Sequence, residues 1–203
     1  MWVVKLGGSL AHDEALLGWL KVLCQPDLRQ IVIVPGGGLF ADQVRQAQSR
    51  WCFSERAAHD MAILAMHQMG TMFAALAPGL TIAQGVMGVR KAIERGRTAV
   101  WLPDPSELGQ EGVPASWDVT SDSLAAWLSG KLAVRDLILV KSLMPPSQEP
   151  AELQRLGIVD PAFMTWLPDS VRFRCYHRSQ FRSWQRDFGP GERLTGAREM
   201  TPR

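Results

Sequence analysis

Ile31-Val32-Ile33-Val34-Pro35-Gly36-Gly37-Gly38 decides the fold class. Four β-branched residues in a row, with no polar alternation, read as a strand buried on both faces, as in a parallel sheet. Proline and three glycines then end it in a tight turn. Trp2-Val3-Val4-Lys5-Leu6, stopped by Gly7-Gly8, repeats the design near the start of the chain. Between the two, residues 12–24 place Leu16, Leu17, Leu20 and Leu23 at helical spacing. The pattern predicts further helices over 40–50, 54–76 and 121–134. It predicts strands at Val100-Trp101-Leu102, at Leu137-Ile138-Leu139-Val140 and from Val171 to Tyr176, with loops over 103–116 and 144–150. Strands alternating with helices imply an α/β fold: a doubly wound, mostly parallel sheet sandwiched by helices.

The composition fits one compact domain over residues 1–203, with 46% hydrophobic and 21% charged residues. Disorder as the main state is excluded, since it needs low hydrophobicity and high net charge. No apolar run reaches the roughly 18–20 residues that span a bilayer. The opening Met-Trp-Val-Val-Lys lacks the basic and long apolar regions of a signal peptide, so a cytoplasmic location is expected. Three widely spaced cysteines, Cys24, Cys52 and Cys175, fit neither a disulfide framework nor a zinc site, and are expected to be reduced and mostly packed. The net charge of +2 is uneven. From Arg172 onward eight arginines face three acids, a net of +5, which leaves −3 on the rest. Phe173, Tyr176, Phe181, Trp184 and Phe188 lie among those arginines. Such interleaving can hold single-stranded nucleic acid, but a final strand and helix with one packed face is the favoured reading.

The two glycine clusters follow directly on buried strands, where open α/β sheets bind ligands. Glycines there let backbone N–H groups approach an anion, so Gly7, Gly8 and Ser9, and Gly36, Gly37 and Gly38, are phosphate-binding candidates. Neither cluster is a Walker A loop or a dinucleotide fingerprint. Lys5 sits within a buried strand and either snorkels out at its end or faces the phosphates. Lys141-Ser142 closes the fourth strand and reads either as an exposed end or as a second phosphate contact. In Trp117-Asp118-Val119-Thr120-Ser121-Asp122, a helix cap at Thr120 or Ser121 explains the pattern. Alternatively, Asp118 and Asp122, four apart, both point into one cavity. His59 and His67, two turns apart on one helix face, read as a packing face rather than a metal site, with one of them reaching a bound phosphate as the open alternative. Arg90 is a further phosphate candidate, though a solvated helix arginine is the favoured reading.

In order along residues 1–142, these elements resemble the amino acid kinase family. Val3 to Ser9 resembles its first phosphate loop, and Val34 to Gly38 its second glycine loop. Asp122 with Leu124-Ala125-Ala126 resembles its aspartate helix, and Leu137 to Lys141 the strand leading to its nucleotide loop. The resemblance implies an acceptor and phosphate half over residues 1–116 and a shortened nucleotide half over 117–203. It implies transfer of the ATP γ-phosphoryl group to a small acidic acceptor, with Mg²⁺ arriving on ATP. By the same resemblance Lys5 and Asp122 are catalytic: Lys5 stabilises the moving phosphoryl group and Asp122 orients the lysines. Gly7, Gly8, Ser9, Lys141 and Ser142 hold ATP, while Gly36, Gly37 and Gly38 hold the acceptor. No protein-bound metal, nucleic acid or membrane is implied, and a homodimer or higher homo-oligomer is the default. Two departures stand out. The family's Thr-Asp-x-x-Gly is here Lys141-Ser142-Leu143-Met144-Pro145, and its later Gly-Gly-Met-x-x-Lys, the source of a second catalytic lysine, is absent. A noncatalytic nucleotide- or oxyanion-binding relative of the same fold, or a kinase for a different small acid, is therefore the alternative. Within the family, Ser116 to Asp122 and Ala58-His59-Asp60-Met61-Ala62 are most similar to the methanofuran-pathway branch, whose acceptor is aminomethylfuran-methyl phosphate. On that resemblance Asp118 pairs with the acceptor's amine.

Overall fold

The computed structural model describes residues 1–25 and 30–188, without the side chains of the last two; the tail beyond, with its remaining arginines, lies outside the described residues. Six parallel strands form one sheet: β1 (Trp2–Leu6), β2 (Ile31–Pro35), β3 (Leu80–Gln84), β4 (Thr98–Leu102), β5 (Asp136–Lys141) and β6 (Arg172–His177). Their order is β3-β4-β2-β1-β5-β6. The helices are α1 (Ala15–Leu23), α2 (Gly38–Trp51), α3 (Glu55–Leu76), α4 (Gly85–Glu94), α5 (Pro105–Gln110), α6 (Ser121–Lys131), α7 (Pro150–Arg155), α8 (Phe163–Trp166) and α9 (Phe181–Phe188). The doubly wound α/β reading therefore holds, with helices on both faces.

Strand alternation sorts the side chains into two cores. Val3, Val32, Val34, Leu137 and Leu139 face one side, under Leu124 and Leu128 of α6. Val4, Leu6, Ile31, Ile33 and Ile138 face the other, under Trp19 of α1, Phe73 of α3 and Trp184 of α9. The same period puts Lys5 and Lys141 on the α6 side, at the carboxyl ends of adjacent strands.

The structure adds β3 and α4, which the pattern of apolar residues does not predict. β3 is an edge strand with Ile82 and Gln84 exposed, so it lacks the continuous apolar run of its neighbours. α4 starts at Gly85, whose φ of +63° suits glycine. Its first free N–H, on Val86, donates to the Glu107 carboxylate at 3.1 Å. Glu107 comes from α5, inside the segment read as a loop. Arg90 of α4 donates to the Lys131 carbonyl at the end of α6 at 2.6 Å, a structural contact.

The basic, aromatic segment packs, as the favoured reading expected. Trp184 is fully buried against Trp2 and Trp19, with ring centroids 5.8 and 6.0 Å apart. Arg178 pairs with Asp13 at 3.1 Å. All three cysteines are free; Cys175 is buried, its thiol pushed up to about 11 by burial, while Cys52 is exposed rather than packed.

At the opposite edge of the sheet from the glycine turns, Asp136 is 1% exposed. Its carboxylate accepts from Arg172 Nε at 2.8 Å and from Trp2 Nε1 at 3.1 Å, joining β1, β5 and β6. Asp136→Ala is expected to cost about 1–3 kcal/mol, because a buried carboxylate that joins the part-buried Trp2 indole and the Arg172 guanidinium is lost. Urea unfolding measures this, and a loss below about 0.5 kcal/mol would show that water replaces the carboxylate.

Candidate active site

The carboxyl ends of β1 and β2 bring the two glycine clusters into direct contact. A β-carbon at Gly8 would lie 2.3 Å from the Gly38 nitrogen, and one at Gly36 would lie 2.4 Å from the Gly8 nitrogen. Backbone therefore meets backbone, and only glycine fits. Gly38 has a φ of +54°, which makes it doubly specific. Gly7 donates to the Val140 carbonyl at 3.0 Å, which fixes the first loop against β5.

Above these loops α6 begins. Thr120 caps it: its hydroxyl faces the Asp122 N–H. Asp160, buried and remote in sequence, accepts from the Thr120 N–H at 2.9 Å, the Thr120 hydroxyl at 2.7 Å and the Ser123 N–H at 3.0 Å, and also from the Ser123 hydroxyl. Four donors thus hold the first turn of α6 in one place. No sequence signal marks Asp160, since its partners lie some forty positions away.

That turn aims Asp122 down between the two lysines. Lys5 Nζ lies 2.8 Å from Asp122 Oδ1, and Lys141 Nζ donates to Oδ2. Lys5 and Asp122 are 5% and 3% exposed. Burial by itself raises the Asp122 carboxyl, but the charges and hydrogen bonds of Lys5 and Lys141 outweigh it and hold it at about 2. Burial lowers the Lys5 ammonium below its ordinary value, opposed by Asp122 and reinforced by Lys141.

Two cavities meet at this triad. The larger, about 450 Å³, is lined by Lys5, Gly8, Ser9, the loop Gly36 to Gly38, Asp122 and Lys141, and farther out by Arg45, Glu55, His59 and Trp117. The smaller, about 250 Å³, is lined by Gly7, Gly8, Ser9, Lys5, Lys141, Ser142 and Leu143, with Gly157 and Ile158. Lys5, Gly8, Ser9 and Lys141 form their common wall. His177 donates from Nε2 to the Ser142 carbonyl at 3.0 Å, steadying the turn after β5.

The structure thus brings Lys5, Gly7, Gly8, Ser9, Gly36, Gly37, Gly38, Asp122, Lys141 and Ser142 together. It leaves Asp118 outside. That residue is exposed and absent from both linings, although Trp117 and Val119 beside it line the larger cavity. The four-residue spacing from Asp122 does not put the two on one face, because the helix starts only after Thr120. His59 is buried on α3 and also lines the larger cavity, so the alternative of a ligand contact stays open for it. His67 keeps a structural role, donating from Nε2 to the Pro103 carbonyl at 2.7 Å. Among the described residues no cluster of His, Cys, Asp or Glu could hold a metal ion, and no helix is long and apolar enough to cross a membrane.

A parallel sheet with paired glycine loops at its carboxyl edge defines a phosphate-handling α/β domain. The sequence model of the amino acid kinase family matches residues 1–143, and the chain belongs to that family. It is 34% identical over 140 residues to the (5-(aminomethyl)furan-3-yl)methyl phosphate kinase of Methanocaldococcus jannaschii, a match covering 68% of this chain and 64% of that protein. It is 30% identical over 122 residues to the acetylglutamate kinase of Colwellia psychrerythraea, covering 55% and 45%. The matches therefore span less than two thirds of both relatives. Among solved structures, uridylate kinase from Archaeoglobus fulgidus superposes with a TM-score of 0.68 at 16% identity, covering 87% of this chain and 91% of that one. UMP kinase from Bacillus anthracis gives 0.68 at 14%, covering 92% and 90%. These likenesses show the shared fold.

Two outcomes follow from this geometry. Gly8→Ala is expected to cost about 1–3 kcal/mol, since the neighbour in its way is backbone that must shift. It should also weaken phosphate-ligand binding roughly tenfold; unfolding curves and calorimetric titration check both. Asp122 sits at about 2 when folded against an ordinary 3.8. Its stabilising contribution is therefore present above about pH 4 and is lost as pH falls toward 2. Asp122→Asn should flatten that acid limb and destabilise by about 3–5 kcal/mol near neutrality, because two ammonium groups lose their counter-charge. Denaturation at a series of pH values reads both effects.

Proposed function

We propose that the protein is an ATP-dependent phosphotransferase acting on a small phosphorylated acceptor, and that this acceptor is aminomethylfuran-methyl phosphate, converted to its diphosphate. The observation that carries the reading is the wall shared by the two cavities. Two ligands seated on either side of Lys5, Gly8, Ser9 and Lys141 would present their phosphates to each other there. The identity of the acceptor is supported by the 34% identical relative, named as a kinase of that compound.

The residues fit this use. Glycine backbone N–H groups can cradle phosphate oxygens that a side chain would exclude. Lys5 and Lys141 can stabilise the charge that spreads over a transferring phosphoryl group. Lys141 thereby stands in for the second lysine whose usual motif the sequence lacks. Mg²⁺ would enter bound to the phosphates of ATP and neutralise charge on them.

In the transfer, an oxygen of the acceptor phosphate forms a bond to the γ-phosphorus as the bond from that phosphorus to the bridging oxygen of ADP breaks. Phosphorus NMR with Mg-ATP tests this, using aminomethylfuran-methyl phosphate with uridylate and isopentenyl phosphate as controls. New diphosphate resonances are expected from the furan acceptor alone, and Lys5→Ala should slow their appearance by about 10²-fold or more. Folded protein that gives no product from the furan acceptor overturns the reading.

A further inference from the structure

The larger cavity is long and has two differently charged ends. α2 and α3 form an antiparallel pair along it. At the glycine end, a β-carbon at Gly37 would lie 3.6 Å from Ala65 Cβ. At the other end, Gln48 Nε2 donates to Glu55 Oε1 at 2.9 Å. At about 1.5 Å per residue, His59 and Glu55 stand roughly 9 and 15 Å along α3 from the level of the glycine loop. The inner end has Lys5 and Lys141 against Asp122, a net of +1. The residues lining the rest of the cavity include Asp42 and Glu55 against Arg45, a net of −1. An acceptor seated by its phosphate at the glycines would lay its far end on the acidic side.

His59 is 9% exposed and lines this space, yet no described group hydrogen-bonds its ring. With no described partner in the protein, the imidazole is free to hydrogen-bond a ligand seated in this cavity. Burial holds its pKa below the ordinary value, with Asp60 opposing and Arg56 adding to the shift. The ring therefore stays neutral near pH 7 and keeps a lone pair. Glu55 lies one helical turn before it on the same face. Gln48 orients Glu55 through Oε1, and Gln48 Oε1 in turn accepts from Trp117 Nε1 at 2.6 Å. Arg45 stacks 3.8 Å from the centre of the Trp117 ring, fixing that indole as an apolar wall.

We propose that Glu55 and His59 form the seat for a primary ammonium group at the far end of the acceptor, so that the protein selects bifunctional molecules with a phosphate at one end and an amine at the other. This rests on the reading of the larger cavity as the acceptor's. An ammonium has three N–H donors; the Glu55 carboxylate and the His59 lone pair take two of them. Asp118, exposed and outside the cavity, is replaced in that role.

Calorimetric binding of ω-aminoalkyl phosphates of increasing length, each against its matching n-alkyl phosphate, tests the seat without turnover. In the parent, the amine is expected to tighten binding about tenfold or more at the best length. Glu55→Gln should erase that advantage while affinity for the alkyl phosphate stays the same, and His59→Gln should reduce it. Glu55 is exposed, so its variant tests the seat even where substitution of His59 disturbs folding. No amine advantage in the parent, or an advantage that survives Glu55→Gln, overturns the proposal. An advantage erased by Asp118→Asn alone also overturns it. A Glu55-dependent amine preference without phosphoryl transfer to the furan acceptor would sink the kinase reading and leave the seat standing. Transfer with Glu55-independent binding would do the reverse.

Discussion

Lys5 and Lys141 leave their strands on the same face of the sheet, and one buried carboxylate, Asp122, lies between them. An ammonium group as buried as Lys5 is tolerable only with a counter-charge at hydrogen-bond distance. That requirement fixes where α6 begins. Its first turn must stand over the carboxyl ends of β1 and β5, and nine consecutive residues, Ser121 to Ser129, are buried as a result. A helix enclosed so completely cannot leave its first N–H groups to water. Thr120 and Asp160 accept from them instead. The capping network is thus a consequence of the ion pair, reached through burial.

The glycine loops face the same constraint from below. Two strand ends meet so closely that no β-carbon fits at Gly8 or Gly36, and the Gly7 and Gly36 N–H groups are bonded to the Val140 and Leu6 carbonyls, which fixes both loops. Two lysines against one carboxylate leave one positive charge at the wall between the cavities. A phosphate brought there exchanges water for fixed donors and a low-dielectric setting in which that charge acts more strongly.

Much of this was legible in the sequence because it rests on short-range rules. Apolar runs gave β1, β2 and β5, with Lys5 and Lys141 near their carboxyl ends. That the two lysines share one face follows from the register of β1 on β5, where Lys5 pairs with Leu139, which no local pattern carries. What failed did so for identifiable reasons. β3 is an edge strand with half its positions solvated, so its composition resembles a loop. α5 is only six residues long, too short for periodicity to register. Asp118 looked equivalent to Asp122 because four residues is one helical turn, but the rule applies only inside a helix, and Thr120 is still extended. Asp160 was invisible because a cap supplied from a distant loop leaves no local trace. The role of His59 stayed open because a helix stripe of Ala62, Ile63 and Met66 lines a cavity as readily as it packs a core.

The state of Asp122 also constrains any phosphoryl transfer run in this site. A general base works best with a pKa near the working pH. Asp122, held at about 2 by two lysines, is far too weak a base to take a proton from an alcohol. His59 stands roughly 9 Å along α3 from the level of the glycine loop. An attacking oxygen that arrives already deprotonated makes no demand on Asp122 as a base. A phosphate monoester, whose second pKa is about 6, does so at neutral pH, and a carboxylate does too, whereas a hydroxyl group does not. A carboxylate tied up by two lysines therefore suits acceptors whose nucleophile is already acidic. On the reading of the larger cavity as the acceptor's, discrimination among such acceptors would fall to its outer part, where the charge changes sign.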